Sequence, residues 1–211
     1  DVAVKDGIIA AMGKLDGAAA KETIDVGGQI VCPGFVDGHS HSDIHIMAHP
    51  DSRQKIMQGY TTEVLGLDGM SLAPISDANK ADWEKHLSGL AGTAKVPWSW
   101  NSFGQYLDCI DAAKPTINAC SYVGLGTIRL DVMGMTDREA TTAEIDAMCR
   151  LTAECMEQGA RGVSAGLIYP PSKYQTLDEI VAISKVAAAY DGIFDVHMRN
   201  ESDRIAESVE V

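Results

Sequence analysis

From Pro33 onward, short apolar runs alternate with longer stretches in which apolar residues recur at helical spacing. The strand-like runs are 35–37, 61–65, 119–123, 162–165 and 193–196. The helix-like stretches fall at about 52–58, 79–91, 100–112, 141–158, 177–190 and from 201 onward. The clearest is 141–158, where Ile145, Met148, Cys149, Thr152, Cys155 and Met156 share one helical face. Thr176 followed by Glu179 reads as a capping box at the next helix. Before Pro33 the pattern differs. Val2–Val4 and Ile8–Gly13 flank an Asp6-Gly7 turn signal, and a second pair, Thr23–Val26 and Gln29–Val31, is hinged on Gly27-Gly28.

Alternating strands and helices predict a parallel α/β architecture, an open sheet or a barrel. Residues 33–211 supply five βα units, whereas an eight-stranded barrel takes roughly 250 residues. The expectation is the first five units of such a barrel, about three short of closure. The chain opens on a strand-like segment and closes within the helical pattern Ala206–Val211, so the expected folding unit extends beyond it. Residues 1–32 are a small β module, too short to hold a core of its own.

Composition narrows the choice of partners. Of 211 residues, 45% are hydrophobic, enough for a core, and 22% are charged. The net charge of −13 argues against nucleic acid and against an anionic membrane surface, since neither is attracted to it. No apolar run approaches the roughly 18 residues of a membrane span. Cys32, Cys109, Cys120, Cys149 and Cys155 are scattered and odd in number, which fits free thiols in a reducing cytosol and predicts a cytoplasmic protein.

The strongest chemical signal is Pro33-Gly34-Phe35-Val36-Asp37-Gly38-His39-Ser40-His41-Ser42-Asp43. An apolar strand ends in two histidines spaced i and i+2, which in a strand face the same side and can reach one metal ion. The carboxyl end of a parallel strand is where such folds place ligands. Asp37 and Asp43 flank the pair and are placed to orient it or to complete the metal shell. His197 closes the fifth strand-like run at the same rim, and Asn200 and Asp203 can cap the following helix. His45, His49 and His86 have no convergent partners and read as surface or packing residues.

This opening resembles the amidohydrolase superfamily, whose first barrel strand ends in His-x-His. More narrowly, 58–64 (QGYTTEV), 98–107 (WSWNSFGQYL), 161–171 (RGVSAGLIYPP) and 197–201 (HMRNE) are similar to the D-aminoacylase branch, in order along the chain. The resemblance implies a TIM-type (β/α)8 barrel, with residues 1–32 as part of a β-sandwich. It implies one or two Zn2+ ions and an amide substrate of N-acyl-D-amino-acid type, with His197 as a zinc ligand beside His39 and His41. It also implies that the rest of the barrel, on a second polypeptide or on a C-terminal remainder, brings a further metal histidine and the aspartate that serves as general base.

Two departures stand out. The branch places a metal-binding cysteine in Gly-Asn-Cys-Gly after the second strand, where this sequence has Gly66-Leu67-Asp68-Gly69. A carboxylate at Asp68 can ligate zinc and bridge two ions, but it is a harder ligand and admits Mn2+. Gly-His-Gly after the third strand is replaced by Gly124-Leu125-Gly126, followed by Thr127, Ile128 and Arg129. Tyr169 offers a hydroxyl to a substrate carbonyl or carboxylate, and Arg199 offers a cation to a substrate acid or a bridge between loops.

A metal held by His39, His41, Asp68 and His197 lowers the pKa of bound water to about 7, giving hydroxide for attack on the amide carbonyl, with Tyr169 assisting. Two other readings stand beside this one. A cyclic-amide hydrolase of hydantoinase or dihydroorotase kind usually needs a carboxylated lysine, and no lysine sits at a strand end facing this site. A non-catalytic metal-binding subunit fits the half-barrel length but not the retained histidines.

Overall fold

The computed structural model describes residues 1–210, in two compact units, Asp1–Pro33 and a second from Gly34 onward. In the first, β1 (Val2–Lys5) and β2 (Ile8–Met12) form an antiparallel hairpin with an irregularity at Ala3/Val4. Asp6 (φ 52°) and Gly7 (φ 77°) both take left-handed backbone, the conformation a two-residue hairpin turn needs. The expected second pair of strands does not form. Gln29 N–H does bond Val26 C=O at 2.9 Å around Gly27-Gly28, but the arms carry no ladder, and Ile24 and Ile30 stand exposed. Two arms this short are marginal without a third strand beside them.

In the second unit, β3 (Phe35–Asp37), β4 (Tyr60–Leu65) and β5 (Asn118–Ser121) form one parallel sheet. β6 (Val123–Gly124), β7 (Gly162–Gly166) and β8 (Ile193–His197) form another. β5 and β6 are the expected third strand, interrupted at Tyr122. Tyr122 N–H still bonds Leu65 C=O (3.0 Å), and Arg161 N–H bonds Ser121 C=O (3.0 Å), so the ladder carries across the break. The barrel is not closed: β3 pairs only with β4, and β8 only with β7.

The helices are α1 (His45–Ala48), α2 (Arg53–Ile56), α3 (Asp77–Ala91), α4 (Phe103–Ala113), α5 (Leu125–Met133), α6 (Thr142–Glu157), α7 (Leu177–Ala188) and α8 (Ile205–Val209). None of them is long and apolar enough to cross a membrane. Ser102 with Gln105, and Thr141 with Glu144, form complete capping boxes. At α7 only half of the expected box exists. Thr176 Oγ1 accepts from Glu179 N–H (3.2 Å), but the Glu179 carboxylate is drawn away to Arg129. Helix α5 escapes the periodicity because seven of its residues, among them Thr127 and Arg129, are buried all round it, leaving no polar face to mark the turn.

The core beneath the strand ends is aromatic. Trp83 and Trp100 are fully buried, and their indole N–H groups donate to the carbonyls of Ser71 and Leu72, each at 2.9 Å. These bonds fix the segment that follows β4. Arg129 and Glu179 are both fully buried, and Arg129 Nη1 donates to both Glu179 oxygens, at 2.8 and 2.9 Å. Arg129 Nη2 also donates to the carbonyls of Thr136 (3.2 Å) and Arg138 (2.6 Å). Arg129→Met leaves Glu179 as a lone buried charge and is expected to destabilise the protein by about 3–5 kcal/mol. Chemical denaturation measures this, and a loss below about 1 kcal/mol would show the pair to be dispensable.

Candidate metal centre

Strand β3 ends at Asp37, so His39 and His41 lie just past the regular strand rather than on it. One further bond, Ser40 N–H to Val64 C=O (3.1 Å), keeps the segment beside β4 and preserves the i, i+2 alternation. Both imidazoles therefore face the same point: His41 Nε2 lies 3.1 Å and His39 Nε2 3.4 Å from Asp68 Oδ2. The three donor atoms lie within 4.8 Å of one another, the spacing of a shared ion.

Asp68 is held on a strained, crowded loop. Its φ is 55°, and Gly66 and Gly69 beside it are also left-handed. The loop crosses the ends of β6 and β7 so closely that side chains are excluded. A Cβ on Gly166 would lie 2.1 Å from Asp68 C=O, and one on Gly124 would lie 2.4 Å from Gly69 C=O. Ser164 Oγ accepts from Gly69 N–H (3.0 Å) and donates to Gly66 C=O (2.5 Å). Leu125 is fully buried, so no polar group stands there for a metal.

His197 ends β8 opposite Gly166 and brings Nδ1 to 3.5 Å from Asp68 Oδ1, without hydrogen-bond alignment. The Asp68 carboxylate thus has one oxygen toward His39 and His41 and the other toward His197. Among the described residues, five buried side-chain polar atoms lack a hydrogen-bond partner. Asp68 Oδ1, which faces His197, is one, and His197 Nε2 is another, though it lies 3.1 Å from Glu201 Oε2 without hydrogen-bond alignment. Buried polar atoms are rarely left unpaired. A divalent cation would satisfy such a donor set, so these residues fit a metal.

Burial works to raise the Asp68 carboxyl, but the His41 hydrogen bond and the charges of His39, His41 and His197 outweigh it and hold it below the usual carboxylate range. Asp68 thereby stays an anion. Asp37 Oδ1 accepts from His39 N–H (3.3 Å), and its other oxygen meets Lys55. Asp43, fully buried, does not touch the histidines. Its Oδ1 accepts from Gly66 N–H (3.0 Å), tying the histidine segment to the Asp68 loop.

Tyr169 is half-buried, with its ring edge-to-face on His197 at 5.1 Å. Arg199 is not a free cation: Nη1 and Nη2 donate to the carbonyls of Lys173 (3.1 Å) and Gln175 (2.6 Å), the loop-bridging arrangement. Asn200 Oδ1 accepts from the N–H groups of Ser202 and Arg204 in the turn ahead of α8. The N-cap, however, is Arg204 and has no side-chain cap bond, so neither Asn200 nor Asp203 caps that helix as expected. His45 and His49 pack against each other (4.6 Å), and His86 stacks on Trp83 (5.0 Å). Glu201, whose Oε2 lies 3.1 Å from His197 Nε2, and the group Lys55, Glu63 and Ser40 escaped the sequence reading. A glutamate inside the strand-like run 61–65 was the available signal.

The amidohydrolase family pattern matches residues 22–209, and the chain belongs to that family. Within it the chain is D-aminoacylase-like. It is 39% identical to D-aminoacylase of Alcaligenes xylosoxydans xylosoxydans over 210 residues, which is 100% of this chain and 42% of that protein. It is 36% identical to N-acyl-D-aspartate deacylase of the same organism, covering 100% of this chain and 41% of that one. A D-aminoacylase crystal structure superimposes with TM-score 0.85 at 38% identity, over 96% of this chain and 42% of that one. N-acyl-D-glutamate deacylase from Bordetella bronchiseptica, solved with zinc and a phosphonate mimic of the tetrahedral intermediate, gives 0.84 at 34% identity over 99% and 43%. A further D-aminoacylase structure concerns that enzyme's binuclear metal centre. The chain spans about two fifths of the length of the relatives it matches.

Burial, the largest influence, pushes the Asp43 carboxyl up to about 7, so the folded protein prefers it protonated. Its contribution is then lost as pH rises from the ordinary carboxylate range through about 7. Asp43→Asn keeps an acceptor for Gly66 N–H without the charge. In thermal melts of the metal-free protein, the variant is expected to gain on wild type between pH 5 and 8. A difference independent of pH would count against a buried titrating Asp43.

Proposed function

We propose that this chain is the metal-binding part of a hydrolase that cleaves a non-peptide C–N amide bond in a substrate of N-acyl-D-amino-acid type. The observation that carries the reading is the convergence of His39, His41 and Asp68 within the span of one ion at the strand ends, with His197 Nδ1 facing the other, unpaired oxygen of Asp68. Similarity to deacylases of N-acyl-D-amino acids supports the substrate class. In this reading the four residues hold one or two divalent ions, zinc first, with manganese admitted by the carboxylate. Bound there, the ion supplies Lewis acidity and an activated water.

The chain's own residues do the rest. Asp68, kept anionic, joins the two histidine groups through its separate oxygens. The Tyr169 hydroxyl stays protonated, because burial and then the charges of Asp68 and Glu201 raise its pKa, and it can donate to a substrate carbonyl or carboxylate. Arg199, bound to loop carbonyls, steadies the turn after Tyr169 instead of meeting the substrate directly. The general base and a further histidine come from the remainder of the barrel, on this polypeptide or a second one. Phe35 and Val36 on β3, and Ile193, Phe194 and Val196 on β8, expose apolar surface at the two sheet edges where that remainder would sit.

His39→Ala and His41→Ala are each expected to abolish metal uptake and, in the complete barrel, turnover. N-acyl-D-amino acids should be hydrolysed in preference to hydantoins and other cyclic imides. Faster turnover of the imides would transfer the chain to the cyclic-amide hydrolases. Metal uptake with no hydrolysis of either class would make it a non-catalytic subunit. Asp68→Cys is expected to shift metal content toward zinc over manganese by about tenfold or more, measured by elemental analysis after equilibration with both. An unchanged ratio would remove Asp68 from the ligand set.

A further inference from the structure

Beneath the His39–His41 segment lies a charged network that the proposed chemistry does not use. Lys55 on α2 buries its stem and brings Nζ to 2.8 Å from Glu63 Oε2 and 3.1 Å from Ser40 Oγ, while also pairing with Asp37 Oδ2. Glu63, on β4, is 1% exposed and accepts a second hydrogen bond from Ser40 Oγ at 2.9 Å. Ser40 Oγ in turn lies 2.8 Å from Ser42 Oγ. The ammonium therefore sits between two carboxylates and a hydroxyl, and each of these grips the histidine segment at a different point. Asp37 holds the backbone N–H of His39, and Ser40 is the residue between the two histidines.

A buried carboxylate such as Glu63 is costly without a partner, so the cation is what allows it to stay beneath the site. We propose that Lys55 is the positioning residue of the metal centre: its ammonium locks Asp37, Glu63 and Ser40 together and so fixes the backbone from which His39 and His41 reach the ion. This rests on the metal-centre reading above. The role matches the general behaviour of groups that orient metal ligands without touching the ion, whose loss weakens binding by about 10- to 100-fold. The charges agree with it. Burial disfavours both ions, yet the mutual hydrogen bonds and attraction prevail, holding the Asp37 carboxyl low and the Lys55 ammonium high.

The test is zinc affinity of the full chain, measured by competition with a chromophoric chelator, beside thermal melting of the metal-free protein. Wild type comes first. If it takes up no zinc, the metal-centre reading fails and this proposal fails with it. If it binds, two variants decide the role of Lys55. Asp37→Asn leaves the Lys55–Glu63 pair in place and keeps an acceptor for His39 N–H, but removes the carboxylate through which Lys55 holds it. Lys55→Met with Glu63→Gln removes the cation and its buried anion together, so no lone buried charge remains. Both are expected to bind zinc about 10- to 100-fold more weakly while the metal-free protein melts close to wild type. Wild-type affinity in either folded variant overturns the proposal. Should the double variant not fold, Asp37→Asn, at a partly exposed carboxylate, decides alone.

Discussion

The carbonyl of Asp68 occupies the space a side chain on Gly166 would need, and the rest of the site follows from that contact. Because the loop after β4 lies flat against the ends of β6 and β7, its carboxylate is delivered to the middle of the strand ends. Glycine at 66, 69, 124 and 166 is the condition for this closeness, since a Cβ at each would meet backbone at under 3 Å. The loop cannot relax outward, because Trp83 and Trp100 hold the carbonyls of Ser71 and Leu72 from below. Asp68 is therefore a rigid anion, and the histidines come to it.

Seen this way, the replacement of a thiolate by a carboxylate at Asp68 and the absence of a histidine at Leu125 belong together. Both lie on the two backbone segments that touch at Gly69 and Gly124. With Leu125 buried under the loop, the candidate residues come from the end of β3, the Asp68 loop and β8, and the middle strand contributes backbone space. A carboxylate supplies two oxygens in different directions where a thiolate supplies one atom. The separation of His41 and His197 onto different oxygens is what that geometry permits.

Much of this was legible in the amino-acid order. Strand runs stood out because β7 is buried throughout and bounded by glycines, and α6 stood out because Met148, Thr152, Cys155 and Met156 are buried on one helical face. His39 and His41 were legible because two residues of one segment carry their own geometry. Helix α5 was not, since a helix buried on every side shows no periodicity, and its Gly124-Leu125-Gly126 opening reads as a loop. Nor could Thr23–Val31 be told from strands, because whether a segment pairs depends on a neighbour that local pattern does not report. The Lys55 network joins positions 37, 40, 55 and 63, three charges and a hydroxyl that sit apart in sequence and are brought together by parallel pairing of β3 with β4.

The break at Tyr122 divides the strands into two sheets, and the candidate ligand residues are divided with them. His39, His41 and Asp68 travel with β3, β4 and β5, while His197 travels with β8, fastened through Arg199 to the turn beyond Tyr169. The Asp68 carboxylate spans the seam, as does the Ser164 hydroxyl that bonds Gly66 and Gly69. Flexing between the two sheets would change the gap between the outer oxygen of Asp68 and His197. An ion seated there would act as a rivet across the seam, stiffening one sheet against the other.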